Sequence, residues 1–287
     1  MASMRDIKNR IKSVGSTQQI TKAMHLVATS KLQKSKSTLD ITRPYYNEMR
    51  RVIGNIVTNS VGVNHPFFED RYARNVLVVV LAGDRGLCGG YNVNICKKAS
   101  AFMKECKHDV SAITIGTKAR DYFRRRQRNI VKAYSGISEK PYYDDATDIV
   151  TRVVDAYTEG GVDEVWIAYT EFKSILSHEP KLMKLLPVDK NAFEGIEGVV
   201  SGSPVEYEPD PAAVLDFLFP KYLNTVVYGA LVEASACELG ARMTAMDSAS
   251  SNADDMIDKL TFQFNRARQG AITQELNEIV GGASALE

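Results

Sequence analysis

The chain is short of the features that mark membrane-spanning, secreted or self-contained catalytic proteins. It has no run of about eighteen apolar residues, so no segment reads as a membrane-spanning helix. The N-terminus lacks an apolar signal core and carries Asp6 early, so no cleaved targeting peptide is expected. Four cysteines, Cys88, Cys96, Cys106 and Cys237, form no C-x-x-C pair and are expected as reduced, mostly buried thiols. Four histidines, His25, His65, His108 and His178, are scattered without metal-ligand spacing. No nucleophile stands beside a legible base. No G-x-G-x-x-G is present, and no glycine run leads into Lys-Ser/Thr. Cofactor and metal sites are therefore not expected.

What is present is an ordinary composition with an uneven layout. Of 287 residues, 44% are apolar and 25% charged, enough for a core in one large domain or two smaller ones. The net charge of +1 hides a segregation. From Met1 to Arg51 there are eleven basic residues against three acidic ones; from Asp210 to Glu287 there are five against eleven. Two end segments of opposite sign attract each other most strongly at low salt. Two independently solvated helix faces would be the bland alternative.

The first segment has helical periodicity from Met4 to about Asn59. Its stripe is Ile7, Ile11, Val14, Gln18, Thr21, His25, Ala28, Leu32, Ser35, Leu39 and Thr42. Pro44 ends or kinks this helix, and the helical pattern after it favours a kinked continuation. The last segment mirrors the first. Ala212 to Phe219 reads as a short helix, and Pro220 fits the first position of the next one. From there the stripe runs Leu223, Val227, Ala230, Ala234, Cys237, Ala241, Thr244, Ser248, Ser251, Asp255, Asp258, Phe262, Asn265, Gln269, Ile272, Leu276 and Ile279. Two long end helices with small-residue seams predict an antiparallel coiled coil.

Between the helices the pattern changes. Asn75 to Ala82 and Ala112 to Gly116 are apolar runs of buried-strand type, and Asn129 to Ser135, Val162 to Tyr169 and Lys181 to Val188 are further strand candidates. Helical stretches alternate with them: Val93 to Lys107, Ala119 to Arg126 and Tyr143 to Tyr157. That alternation predicts a parallel, doubly wound, Rossmann-like α/β domain. The expected division is residues 1–59 for the first helix, 74–205 for the α/β domain and 209–287 for the last helix.

Gly83 to Gly90 sits where a nucleotide fold places its phosphate loop, after a strand and before a helix. With the fingerprint broken, a tight turn is the better reading, and a nucleotide-binding α/β enzyme with helical arms is the alternative. Arg124-Arg-Arg-Gln-Arg128 lacks interleaved aromatics and reads as a solvated face, not a nucleic-acid site. Near the C-terminus, Ile272, Leu276 and Ile279 form an apolar stripe with little chain left to cover it. Such faces mark interaction sites. Arg266, Arg268 and Gln269 precede it with polar heads, and Arg grips carboxylates with paired hydrogen bonds.

Three blocks carry a family resemblance. They are Met4-Arg-Asp-Ile-Lys-Asn-Arg-Ile-Lys-Ser-Val14 with Thr17-Gln-Gln-Ile-Thr-Lys-Ala-Met24, then Asp84-Arg-Gly-Leu-Cys-Gly-Gly-Tyr-Asn92, then Ile272, Thr273, Glu275, Glu278, Gly282 and Ala283. In order and over the whole chain they resemble the gamma subunit, the central-stalk rotor, of F-type ATP synthases. The resemblance implies a non-catalytic subunit that transmits rotation between a membrane ring and a ring of alpha and beta subunits. It implies contacts with the catalytic ring at Met24, Arg268, Gln269, Thr273 and Glu275. It implies contacts near the membrane c-ring and the epsilon subunit at Tyr207 and Glu208. It further implies one copy per complex, no bound cofactor and no nucleic acid. The expected location is peripheral, on the cytoplasmic face of a bacterial cell membrane. A generic coiled-coil scaffold would not account for the three blocks.

Overall fold

The computed structural model describes residues 4–59, 65–69, 71–175, 177–189, 193, 208 and 210–284. The elements run α1 (Met4–Asn59), a short 3-10 turn (Pro66–Phe68), β1 (Asn75–Leu81), α2 (Tyr91–Glu105), β2 (Asp109–Ile115), α3 (Thr117–Arg124), β3 (Ile130–Tyr134), α4 (Tyr143–Thr158), β4 (Glu164–Phe172), β5 (His178–Leu186) and α5 (Pro211–Ser284). The chain divides into two compact units, Met1–Ala28 with Met243–Glu287, and Thr29–Arg242. Both long helices run through this division.

The larger unit is built on a five-stranded sheet ordered β3-β2-β1-β4-β5. β1 pairs in parallel with β2 and β4, and β2 with β3. β1 is apolar on both faces, as a doubly covered parallel strand requires. Val76, Val78 and Val80 pack with Ile95, Ala99 and Met103 of α2 and Phe123 of α3. Leu77, Val79 and Leu81 face Ile149 and Val153 of α4 and belong to the same core as Ile53 and Ile56 of α1 and Leu215, Phe219 and Leu223 of α5. Helices thus cover both faces of the sheet, which is the doubly wound arrangement.

The fifth strand departs from the all-parallel expectation: β5 runs antiparallel to β4, with Phe172 opposite His178 and Thr170 opposite Pro180. A parallel return needs a crossover of about a dozen residues or more. Here only the turn at Lys173–Ser177 intervenes, closed by Lys173 N–H to the Ser177 carbonyl at 3.3 Å. Pro180 is accommodated because β5 is an edge strand.

Both prolines in question lie inside continuous helices. α1 passes through Pro44, as the kinked-continuation reading expects. The separate short helix ending before Pro220 is not found, since α5 runs unbroken from Pro211 with Pro220 inside it. Asp210 caps this helix, its Oδ1 accepting from Ala212 N and Ala213 N, each at 2.9 Å. An internal proline costs about 3 kcal/mol. Burying Leu215, Phe219 and Leu223 around it returns about 1.5–3 kcal/mol each, so helix continuity wins. Within this unit α1 and α5 run antiparallel: Ser35 Oγ donates to the Val232 carbonyl at 3.2 Å, and Tyr46 stacks on Tyr222.

The smaller unit is two helical segments, the start of α1 and the end of α5. The α1 stripe read from the sequence is its inner face: Ile7, Thr21 and Ala28 are buried, and Ile11, Val14, Gln18 and His25 are half-buried. The α5 stripe needs correction beyond Ala241. Thr244, Ser248, Ser251, Asp255, Asp258, Phe262, Asn265, Gln269, Ile272, Leu276 and Ile279 are all exposed. Its inner face is Met246, Ser250, Ala253, Ile257, Leu260, Phe264, Ala267 and Ala271, alternating steps of four and three. This is a heptad seam carrying large as well as small side chains. The reading slipped because α5 is buried nearly all round from Leu223 to Gly240. Any 3–4 path through that stretch meets apolar residues, so its phase is lost before the coil begins. Gln18 Nε2 donates to Asp254 Oδ1 across this unit. That contact engages the acidic helix through a neutral amide, not through a lysine or arginine.

The Gln18–Asp254 contact predicts the register. With Cys106 replaced by serine, a Gln18→Cys and Asp254→Cys pair should link efficiently with a short bifunctional thiol reagent, whereas Gln18→Cys with Asp247→Cys, two helical turns away, should not. Equal linking of both pairs on mass analysis would show the register to be wrong.

Candidate interaction surface and the glycine loop

The glycine loop is closed from within. Asp84 follows β1 and turns its carboxylate onto the N-terminus of α3 and the turn after β3. Asp84 Oδ1 accepts from Thr117 N–H and the Thr117 hydroxyl, both at 3.0 Å. Asp84 Oδ2 accepts from Gly136 N–H at 2.9 Å and the Ser138 hydroxyl at 3.0 Å. Partial burial opposes its ionisation, but these hydrogen bonds to the charged form outweigh it and hold its pKa below the usual carboxylate value. The N-terminus of α3 is therefore satisfied by the protein's own anion.

Glu238 of α5 adds a second carboxylate behind this loop. It is 0% exposed, and a side chain at Gly83 would lie 2.7 Å from its carboxyl carbon. Arg242 donates to Glu238 Oε1 at 2.5 Å and also approaches Glu139 at 3.5 Å. Lys31 of α1 pairs with the same Glu139 at 2.7 Å. Burial pushes the Glu238 pKa up, only partly offset by Arg242. The network joins α1, α5 and the connections after β1 and β3. Glu238 and Arg242 stand at i, i+4 on α5, but nothing in the sequence pattern brings Lys31 and Glu139 to them.

The residues expected to meet partners lie elsewhere. Arg268, Gln269, Thr273 and Glu275 are exposed on α5, and Thr273 Oγ1 donates back to the Gln269 carbonyl at 2.9 Å. Arg268, Ile272, Glu275 and Ile279 share one helical stripe, with Gln269, Thr273 and Leu276 beside it. Ile272, Leu276 and Ile279 are 49%, 56% and 68% exposed, so the apolar stripe is not covered among the described residues. Met24 is half-buried on α1. The register set by Gln18–Asp254 places Met24 near Ser248, about 30 Å along α5 from Arg268. One surface patch therefore does not hold them all.

Sequence reasoning missed the neighbours of Met24. Ile20, Leu26 and Val27 are exposed, and Ile20, Met24 and Val27 fall at i, i+4 and i+7. This second apolar stripe was legible beside the seam stripe. Glu208 is exposed in a bend ahead of α5, and Tyr207 lies outside the described residues. The basic run is locally engaged: Arg124 pairs with Asp121 at 3.5 Å, and Arg126 lies 3.6 Å over the Tyr122 ring. Among the described residues no helix is long and apolar enough to cross a membrane.

A family model described as ATP synthase matches residues 3–286. The ATP synthase gamma chain of Pelotomaculum thermopropionicum is 45% identical over 289 residues, covering 100% of both chains. This chain belongs to the ATP synthase gamma family. The sodium ion specific gamma chain of Acetobacterium woodii is 42% identical, with 99% of each chain covered. Among solved structures, the central stalk and c-ring of Tetrahymena thermophila mitochondrial ATP synthase gives a TM-score of 0.61 at 26% identity, covering 80% of this chain and 99% of that one. The OSCP/F1/c-ring structure of Euglena gracilis mitochondrial ATP synthase gives 0.69 at 17% identity, covering 99% and 94%, a likeness of fold. As a gamma subunit the chain is a non-catalytic rotor component of the ATP synthase complex.

Two outcomes follow for the loop. Equilibrium dialysis of the chain should show no saturable micromolar binding of ATP or NAD; such binding, abolished by changes at Asp84–Gly90, would overturn the closed-loop reading. Asp84→Asn should cost about 1.5–3 kcal/mol in urea unfolding at pH 7, since charged hydrogen bonds are lost and donors left facing an amide. The Asp84 pKa is lowered on folding, so its contribution is present above the unfolded value of about 4 and lost as pH falls through the native value. The gap between the two proteins should accordingly narrow below pH of about 4. A gap that stays constant down to pH 2 would show that the charge is not what holds the loop.

Proposed function

We propose that the two-helix unit of this rotor turns inside the ring of alpha and beta subunits and that Arg268, Gln269, Thr273, Glu275 and Met24 touch that ring. The supporting observation is the exposed face of α5 from Arg268 to Ile279, which sets an arginine and an acid among uncovered apolar side chains. A buried interface core with polar grip residues has this composition. Tyr207 and Glu208, just ahead of α5, serve the c-ring and epsilon side. One copy per complex, held peripherally on the cytoplasmic face of a bacterial cell membrane, completes the reading.

The mechanism is differential contact. Two helices with different exposed faces present a different surface in each direction. A catalytic subunit meeting one face has a different balance of conformations from a subunit meeting another. Rotation carries the faces past three catalytic sites in turn. The free energy of those contacts is thereby exchanged for nucleotide affinity, and the coupling is reciprocal, so hydrolysis drives the shaft backwards. No chemistry is asked of this chain. It has to stay folded while its outer face changes partners.

Replacing the grip should separate these two demands. An exposed Arg→Ala change shifts stability by less than about 0.5 kcal/mol. Loss of a charge-assisted contact desolvated in an interface costs about 2–5 kcal/mol. Arg268→Ala with Gln269→Ala should thus leave the melting temperature of the subunit nearly unchanged and lower assembly or ATP turnover of the reconstituted complex several-fold. Normal assembly and turnover would count against the grip role, and a large fall in melting temperature would make the two residues structural.

A further inference from the structure

A second feature of the α/β unit lies outside the rotor surface. A cavity of about 180 Å³ opens at the C-terminal edge of the sheet. Gly90, Tyr91 and Asn94 at the start of α2 line one side, Thr170 of β4 and His178 of β5 the other, and Ala241 of α5 closes it. β1 and β4 are neighbours here while the chain leaves β1 towards β2 on the opposite side, so this is the switch point of the sheet. Open α/β sheets bind ligands outside the carboxyl ends of their strands at such points.

Three independent features give the cavity one chemical character. α2 is fifteen residues long and is preceded by Gly90 at the N-cap, with no side-chain cap. Tyr91 N–H donates to the Cys88 carbonyl at 3.2 Å, but no side chain caps this helix start, and the positive end of its dipole lacks a carboxylate of the kind Asp84 supplies to α3. Thr170 is 2% exposed, and its Oγ1 has no hydrogen-bond partner. His178 Nε2 is buried and likewise has none. Unpaired buried polar atoms are uncommon. Everything gathered here can donate: helix N–H groups, the Asn94 amide, the Thr170 hydroxyl and the His178 ring in its Nε2–H form. The residues lining the cavity include no carboxylate, so it does not suit a cation. Gly89 at φ +54 leads into Gly90 at φ −83, ψ −5, and such alternation turns successive N–H groups towards one point.

We propose that this cavity binds a small tetrahedral oxyanion, held by the α2 N-terminus, Asn94, Thr170 and His178. Its volume suits one phosphate-sized group with water and is below the about 300 Å³ at which pockets for larger organic ligands begin. Gly90 and Asn94 are exposed, so the anion enters from solvent. Its inner wall is α5, where a side chain at Gly240 would stand 2.9 Å from His178 Nε2. A bound anion would therefore tie β4, β5 and α2 together directly beside α5.

The test is titration of the purified full chain with inorganic phosphate, followed by ³¹P line broadening and thermal melting, against chloride at equal ionic strength. Sulfate tests whether the shape or the phosphate itself is recognised, and ADP whether a nucleotide's phosphate is the true occupant. Saturable binding and a phosphate-specific rise in melting temperature are expected, shared by sulfate and not bettered by ADP. Thr170→Val should weaken binding at least about tenfold, as expected for losing one hydrogen bond to a charged ligand. Asn94→Ala, at an exposed position, keeps the fold and should weaken it several-fold, so it decides the matter even where Thr170→Val does not fold. No effect beyond chloride, tighter binding of ADP, or phosphate binding unaffected by Asn94→Ala would each overturn the proposal.

Discussion

The structure depends on the burial of α5 between Leu223 and Gly240. Over these turns the helix has almost no solvent face. Its apolar residues complete the core on one side of the sheet with α1 and α4. At about 25 cal/mol per Å² of apolar area, such a segment is among the largest stabilising contributions in the chain. It also explains why a helix can carry Pro220 inside it and emerge as one half of a coiled coil. The coil by itself is thin. Its seam is one stripe on each helix, and outside that stripe most residues are exposed.

Burial on all sides makes demands on the polar groups within that stretch. Thr225 donates to the Lys221 carbonyl at 2.7 Å and Ser235 to the Glu139 carbonyl at 3.0 Å. Tyr91 reaches the Ala234 carbonyl at 3.0 Å. Glu238 cannot be solved so simply and is paired with Arg242, which shares Glu139 with Lys31. Replacing such a pair by apolar residues is often tolerated, whereas deleting one partner strands a buried charge. The network is thus best read as fixing where the α/β elements meet the helices, not as adding much stability. It also places Asp84, Ser138 and Glu139 together, which is how the glycine loop comes to be closed by carboxylates of the chain itself.

For a rotor, this division of labour is physically sensible. The segment that must not move against its neighbours is buried and networked. The segment proposed to change partners keeps apolar and charged residues outward, on Ile20 and Val27 of α1 beside the half-buried Met24 and on Arg268 to Ile279 of α5. Such a surface would be a liability in a free protein. Within the ring of partners proposed above it would be the working face.

Much of this was written locally. Strand-like runs such as Val76 to Leu81, the helical period of α1 and the blocks around Met24, Asp84 and Thr273 are short-range patterns, and short-range patterns survive without a fold. The antiparallel β5 was not legible in this way, because the strand-like runs end at Tyr169 and resume at Lys181, and only the fold extends both strands until a short turn remains between Phe172 and His178. Other features were decided only in three dimensions. The phase of the α5 seam was lost because a helix buried all round has no periodicity to read. Pro220 looked like a boundary because its local cost is visible in the sequence and the compensating burial is not. Asp84 with Ser138, Lys31 with Glu139, and Thr170 with His178 beside the start of α2 are meetings of residues that no spacing predicts. Sequence determines what each segment prefers to be. Which polar groups end up facing one another, satisfied or not, depends on how the segments pack.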